Sequence, residues 1–369
     1  LKIYFDTLSD INLSVKYFIT SDFNALQDAS FLNLGFLQQY SETHREHIKK
    51  FFVRDNKQVD KNYILDNSIY FIKEYVLNNK IESSFFIGKR ASKLILMILV
   101  GTTIGISAVL FQTITNNRIL TPGVLGVDSI YMFFNLLLLY IAKDLSIFAT
   151  HYYLYFFFIT ALTLGSSYAL YKAIFGKENR KIDEIILIGV VFGTLLKGIS
   201  SFLQIMLDPN QFSLLQDLSF ASINNTDVNL IYLTAPILIA ICFIVVKQFH
   251  VLDIMLLGKD QSINLGIDYD KKVKLLFCIV ITLTSITTAL IGPLVFFGIA
   301  IVNIAREIVI NYKHKELVLF TSILGTFILI LGQFIIERIL DMAVPIGVLI
   351  GFFSGIYFFI LLIKENKNV

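Results

Sequence analysis

From residue 91 onward, apolar runs follow one another with short polar breaks, and their lengths set the first expectation. The runs lie at about 93–114, 124–142, 150–172, 184–207, 229–247, 273–291, 293–311, 316–338 and 345–363. Each has the roughly 18–20 residues that an α-helix needs to cross a hydrocarbon core about 30 Å thick. Lipid offers no partner to backbone N–H and C=O groups, so segments of this kind satisfy them internally, as helices. The pattern predicts an all-α, polytopic transmembrane domain of about nine spans. One long apolar stretch, 273–311, is divided in two by Gly292-Pro293. Glycines spaced through the runs allow helices to approach closely.

Residues 1–85 contain no such run. There Leu65, Ile69, Ile72 and Val76 recur at helical spacing, which predicts an amphipathic helix over about 61–78. His44 and His47, three apart beside Glu42 and Glu46, fit a solvated helix face better than a metal site. Residues 1–90 hold 23 of the 59 Asp, Glu, Lys and Arg residues. The chain therefore divides into a small soluble, helical segment, 1–85, and a transmembrane domain, 86–369.

Composition agrees. Hydrophobic residues make up 56% of the 369 and charged residues 16%, against about 25% charged in soluble domains. Too little polar side chain is present to cover a water-soluble surface of this size. The net charge of +3 is too small for a nucleic-acid footprint. Cys242 and Cys278 each lie inside an apolar run and read as packing residues, with no disulfide or metal framework.

Basic residues favour the cytoplasmic side of a membrane. One set of alternate loops carries Arg118; Lys172, Lys177, Arg180 and Lys181; Lys247, Lys259, Lys271, Lys272 and Lys274; Arg306, Lys313 and Lys315; and Lys364 and Lys367. The other set has Lys143 and Arg338, and its 208–228 loop has Asp208, Asp217 and Asp227 with no basic residue. The C-terminus is expected inside and the start of the first span outside.

No catalytic constellation stands out, and no Gly-x-x-x-x-Gly-Lys-Ser/Thr loop is present to cradle nucleotide phosphates. His151, His250 and His314 fall at span ends, are not grouped with carboxylates or cysteines, and read as interfacial. The cytoplasmic loop 248–272 carries apolar residues at helical spacing with Gly258 and Gly266 eight apart. Short helices turning against the membrane face are expected there, either as an ordinary amphipathic loop or as a docking surface for a cytosolic partner. Lys197, about ten residues from either end of its span, costs about 2.5–3.5 kcal/mol at a bilayer centre. It should face a wet cavity or a partner carboxylate.

Five segments, in order, resemble the FecCD-type permeases of type II ABC importers for iron-siderophores, haem and cobalamin. Gln112 to Gly126, with Thr121-Pro122, is similar to that family's segment between two spans. Leu207-Asp-Pro-Asn-Gln with Phe220-Ala-Ser-Ile-Asn-Asn225 is similar to its iron-siderophore branch. Leu257-Gly258, Ser262 and Leu265-Gly266-Ile267 resemble its coupling-helix motif, with Ser where Ala is usual. Gly292 to Arg306 resembles another motif through Gly298 and Arg306, with Val302-Asn303 in place of Pro-His. Pro345-Ile346-Gly347-Val348 resembles the start of its last helix. The resemblance covers about 85–369.

It implies a dimerising permease in the bacterial cytoplasmic membrane that moves a ferric siderophore of catecholate type by alternating access. The permease itself holds no cofactor or metal and is not an enzyme. ATP hydrolysis belongs to separate cytosolic ATPase subunits docked on Leu257, Gly258, Ser262, Leu265, Gly266 and Ile267. An extracytoplasmic binding protein, lipid-anchored or periplasmic, would dock on Arg90, Lys93 and Arg338, and Lys197 would border the pathway. Members of the family begin with a further hydrophobic helix, whose place residues 1–85 occupy here, as a truncated or mosaic gene would produce. A haem or cobalamin permease fits the same motifs. An ion-coupled secondary transporter would instead show inverted repeats and paired intramembrane carboxylates, which the chain lacks.

Overall fold

The computed structural model describes residues 83–142, 152–175, 182–224, 226–309 and 313–366. Apart from the first turn of α1, they belong to the unit Gly88–Val369. The expected helix at 61–78, His44, His47, Lys143, His151, Lys177, Arg180, Lys181 and Lys367 lie outside the described residues.

Twelve helices and one 3-10 turn order the described chain: α1 (Ser83–Thr115), the turn Pro122–Leu125, α2 (Val127–Ala142), α3 (Tyr152–Phe175), α4 (Ile182–Gln204), α5 (Pro209–Ser219), α6 (Val228–Val246), α7 (Phe249–Met255), α8 (Lys259–Asn264), α9 (Tyr269–Ile291), α10 (Phe297–Ile308), α11 (His314–Arg338) and α12 (Ile346–Asn366). Polar caps fix several starts where the apolar pattern alone is indifferent. Asp227 accepts from the Asn229 N–H before α6, and Asp268 from the Lys271 N–H before α9. Asp208 and Gln211 close a reciprocal capping box on α5, with Pro209 at its first position.

Seven of these helices are long and apolar enough to cross a membrane. Their centres differ in burial. Two-thirds of the central residues of α1 and α9 are buried, against 17% in α12, 22% in α3 and 28% in α4 and α6. The pair α1–α9 is therefore the hub, held by an edge-to-face contact of Phe111 with Phe277 and a 3.1 Å hydrogen bond between the Thr103 and Thr287 hydroxyls. Outer helices leave Phe202, Phe243, Phe327, Phe352 and Phe359 exposed, which lipid as solvent makes inexpensive.

Two expected spans are shorter than the pattern predicts. The 293–311 segment forms only the twelve-residue α10, about 18 Å long. Gly292 at φ 92° closes α9, Phe296 turns the chain at φ 60°, and α10 starts only then. Gly298 packs on Ala108, within the α1 span, so α10 runs from inside the membrane thickness to one face. Likewise α2 has sixteen residues, and Asp128 in its first turn accepts from the Thr288 hydroxyl, next to the Thr103–Thr287 pair. Its N-terminus therefore also lies at membrane depth. Helix α5, in the acidic 208–228 loop, is an addition that the apolar runs did not predict.

Side-chain ties sort the helix ends into two faces. At one, Thr113 meets His314, His314 meets Asp253, Arg306 meets Gln112, Lys272 meets Gln248 and Lys364 meets Glu307. At the other, Lys93 meets Glu337, Gln211 donates to Leu139 O, and Tyr153 meets Asp227. Lys272, Arg306 and Lys364 share the first face with α7 and α8, and Gln211 and Asp227 of the acidic 208–228 segment lie at the second. Charge asymmetry makes the first face cytoplasmic.

Candidate functional site

At the inner face, α7 and α8 form a compact pair. Leu252 and Met255 are buried beneath it, while Leu257, Ile263 and Leu265 are 53%, 49% and 59% exposed. Ser262 has no exposed surface, and its hydroxyl donates within 2.7 Å of Gly258 O and 3.1 Å of Ile254 O. It thus pins α8 onto α7 more firmly than the methyl group usual in the motif. Gly258, at φ 96° and ψ 167°, occupies a region essentially closed to other residues, and Gly266 sits at φ 84°. A Cβ on either would meet open space, so backbone conformation, and not crowding, selects glycine at both positions. Ile267 N–H closes on Ser262 O at 3.0 Å. The Lys259–Asp270 pair at 2.9 Å ties the loop to α9. The Lys271 side chain, hydrogen-bonded to Asp268, holds that carboxyl below the usual carboxylate range.

The remaining motif residues converge as packing points. Gly126, at φ 82°, lies against Gly189 and Gly193 of α4, where a Cβ would sit 3.2 Å from Gly189 O. A Cβ on Gly298 would stand 2.9 Å from the Ala108 Cβ and 3.7 Å from the Thr121 side chain. Thr121 and Pro122 lead into the 3-10 turn that precedes α2. Arg306 reaches Gln112 at 3.4 Å, and Gln112 and Asn303 both donate to Arg118 O, at 2.9 and 3.0 Å. Asn303, one of the two residues in place of Pro-His, thus fastens α10 to the loop that follows α1. After Pro345, Gly347 packs on Ala221 so closely that a Cβ would lie 2.6 Å from Ala221 N, and Gly347 N–H donates to Ala221 O at 2.9 Å. Gly292 borders the same alanine.

At the outer rim, Arg90 and Arg338 are exposed. Lys93, expected beside them as a docking residue, is partly exposed and spends its ammonium on partners within the chain. It donates to Asn224 Oδ1 at 2.7 Å and lies 3.3 Å from Glu337 Oε1. Lys197 lies on an exposed face of α4. Its charge falls within electrostatic range of Asp128, and among the described residues it makes no ion pair inside 4 Å.

His314 departs from the interfacial reading. It is 1% exposed, and its Nδ1 lies 2.7 Å from Asp253 Oδ1, sixty-one positions away. The backbone N–H of His314 donates to the same oxygen at 2.8 Å, and Nε2 lies 2.9 Å from the Thr113 hydroxyl. Sequence separation hid this group, since nothing local to His314 announces Asp253. Among the described residues no three His, Cys, Asp or Glu side chains gather as a metal set.

The model of the FecCD transport family matches residues 62–364. The chain is 39% identical over 280 residues to the petrobactin import system permease protein YclO of Bacillus subtilis, covering 76% of this chain and 89% of that protein. It is 27% identical to the petrobactin import system permease protein FatC of Bacillus anthracis, covering 75% and 78%. A solved metal-chelate type ABC transporter in an inward-facing conformation superposes with a TM-score of 0.65 at 18% identity, over 74% of this chain and 87% of that one. PsaBC from Streptococcus pneumoniae superposes with 0.54 at 15% identity, over 79% and 94%.

Proposed function

As a member of the FecCD transport family, the chain is a multi-pass permease subunit of a siderophore-type ABC importer of the bacterial cytoplasmic membrane, and we propose that it carries a ferric siderophore of catecholate type by alternating access. The α7–α8 pair carries this reading. Ser262 holds it rigid, glycines shape its turns, and Leu257, Ile263 and Leu265 stand exposed on the face that the basic loops share. Apolar side chains offered to water on a rigid support fit the seat of a protein partner, here a cytosolic ATPase subunit. Nucleotide-driven closure of the ATPase pair would push on this seat.

At the opposite face, Arg90 and Arg338 present charge to an extracytoplasmic binding protein, and charge-assisted pairs there would orient it. Lys93 joins them only by leaving Glu337. Lys197, on the exposed face of α4, would meet the anionic chelate where a second permease subunit completes the pathway. The siderophore assignment draws on the two petrobactin permeases above. Uptake of radiolabelled ferric chelates into vesicles, with and without the ATPase subunit, tests it. ATP-dependent uptake of a ferric catecholate over haem and cobalamin is the expected result. Preference for either competitor refutes the substrate, and uptake without the ATPase refutes the mechanism.

A further inference from the structure

Helices α1 and α11 touch along their whole shared length in antiparallel register: Lys93 with Glu337, Gly101 with Gly325, Gly105 with Thr321 and Thr113 with His314. From Lys93 to Thr113 is twenty residues, about 30 Å of helix, the thickness of a hydrocarbon core. At the centre the contact is backbone on backbone. A Cβ on Gly101 would lie 2.5 Å from Thr326 N, and one on Gly325 would lie 2.9 Å from Gly101 O. Small residues at i and i+4 permit this approach, and the atoms nearest the Gly101 position are all backbone, which no rotamer change can move.

Both ends of the pair are fastened to other parts. The inner end is held by α7 of the α7–α8 loop. Asp253, an acceptor only, takes the His314 backbone N–H at 2.8 Å and ring Nδ1 at 2.7 Å, while Nε2 faces the Thr113 hydroxyl at 2.9 Å. One carboxylate on α7 thereby grips α11 and, through the ring, α1. At the outer end, Lys93 and Gln333 both donate to Asn224 Oδ1, at 2.7 and 2.9 Å, and both reach Glu337. Asn224 belongs to the segment between α5 and α6, which forms part of the outer rim.

We propose that α1 and α11 act as one rigid rod carrying motion between the α7–α8 loop and the outer rim, with Asp253, His314 and Thr113 as the joint at its inner end. This rests on the proposed function, in which the loop is the ATPase seat and the rim receives the binding protein. The joint residues are positioning residues: they touch neither cargo nor nucleotide.

The test uses the full chain with its partner permease, ATPase and chelate-loaded binding protein in proteoliposomes. Three quantities are read: basal ATP hydrolysis, hydrolysis stimulated by the binding protein, and uptake. His314→Gln places an amide near Nε2 but gives up the ring contact to Asp253. Thr113→Val keeps its shape and removes the tie between the His314 ring and α1, together with the hydroxyl's bond to Val109 O within the same helix. For each, complex assembly and basal hydrolysis stay within about twofold of wild type, while stimulation and uptake fall about tenfold, the scale of a typical coupling between sites. A merely structural contact would lower all three together with assembly, and that result overturns the joint, as does unchanged stimulation. If His314→Gln fails to assemble, Thr113→Val decides by the same criterion. A wild-type chain that recruits no ATPase overturns the proposed function as well, and is told apart because no variant is needed to see it.

Discussion

Placing one methyl group on Gly101 should loosen the molecule at its centre. The added carbon would lie 2.5 Å from Thr326 N and 2.8 Å from Gly325 C, both backbone atoms that no rotamer change can move. To restore ordinary contact, α1 and α11 must separate by roughly 1 Å, and a gap of that size forfeits a quarter to a half of the dispersion energy of each facing pair. Overpacking of this kind costs about 1–3 kcal/mol. Strain on the Thr113–His314 tie adds about 1 kcal/mol, the worth of one hydrogen bond. Against this, alanine is a better helix former than glycine by about 1 kcal/mol, so the net loss is about 2 kcal/mol. At about 2–4 °C per kcal/mol for a domain of this size, Tm should fall by about 4–8 °C. Gly351 supplies the control, because a Cβ there meets nothing within 4 Å, and Gly351→Ala should be neutral or slightly stabilising. Unfolding in detergent, followed by a thiol-reactive dye at the partly buried Cys242 and Cys278, gives both values. Equal melting of the two variants would refute the close-contact argument.

Further outcomes follow from the inner face and the pathway. Gly258→Ala forces a side chain into a backbone region that costs about 1–3 kcal/mol for residues other than glycine; co-purification should show weakened ATPase association while Gly351→Ala retains it. Ser262→Ala removes a hydroxyl from a fully buried site at a cost of about 1 kcal/mol, and vesicle uptake should stay near wild type, whereas Ser262→Leu should abolish it by forcing α8 off α7. Lys197→Ala should lower uptake of an anionic ferric chelate while Lys197→Arg retains it, since the charge and not the stem matters; equal uptake by both variants would remove Lys197 from the pathway.

Much of this fold is written in the length of its apolar runs, because a bilayer imposes one length on every crossing helix. The 314–338 and 269–291 helices stand close to where hydropathy puts them. Hydropathy is blind to depth, however. It cannot distinguish a full crossing from α10, which begins inside the membrane after the turn at Phe296. Helix α5 is too polar to register, although Asp208-Pro209 with Gln211 carried a capping signal that pattern reading passes over. The 257–267 motif was legible because glycines at positive φ leave a fixed imprint on sequence. The Asp253–His314 and Lys93–Glu337 pairs were not, since each joins segments far apart in the chain and neither partner is unusual in its own surroundings.

On the proposed function, the α7–α8 turn faces the cytosol and seats an ATPase. A single cysteine at the exposed Leu257, introduced with Cys242→Ala and Cys278→Ala, reports on this directly through a membrane-impermeant thiol reagent. Labelling is expected in inside-out vesicles and not in intact cells, with protection when the ATPase subunit is added. Labelling from outside the cell, or labelling that the ATPase leaves untouched, would contradict it.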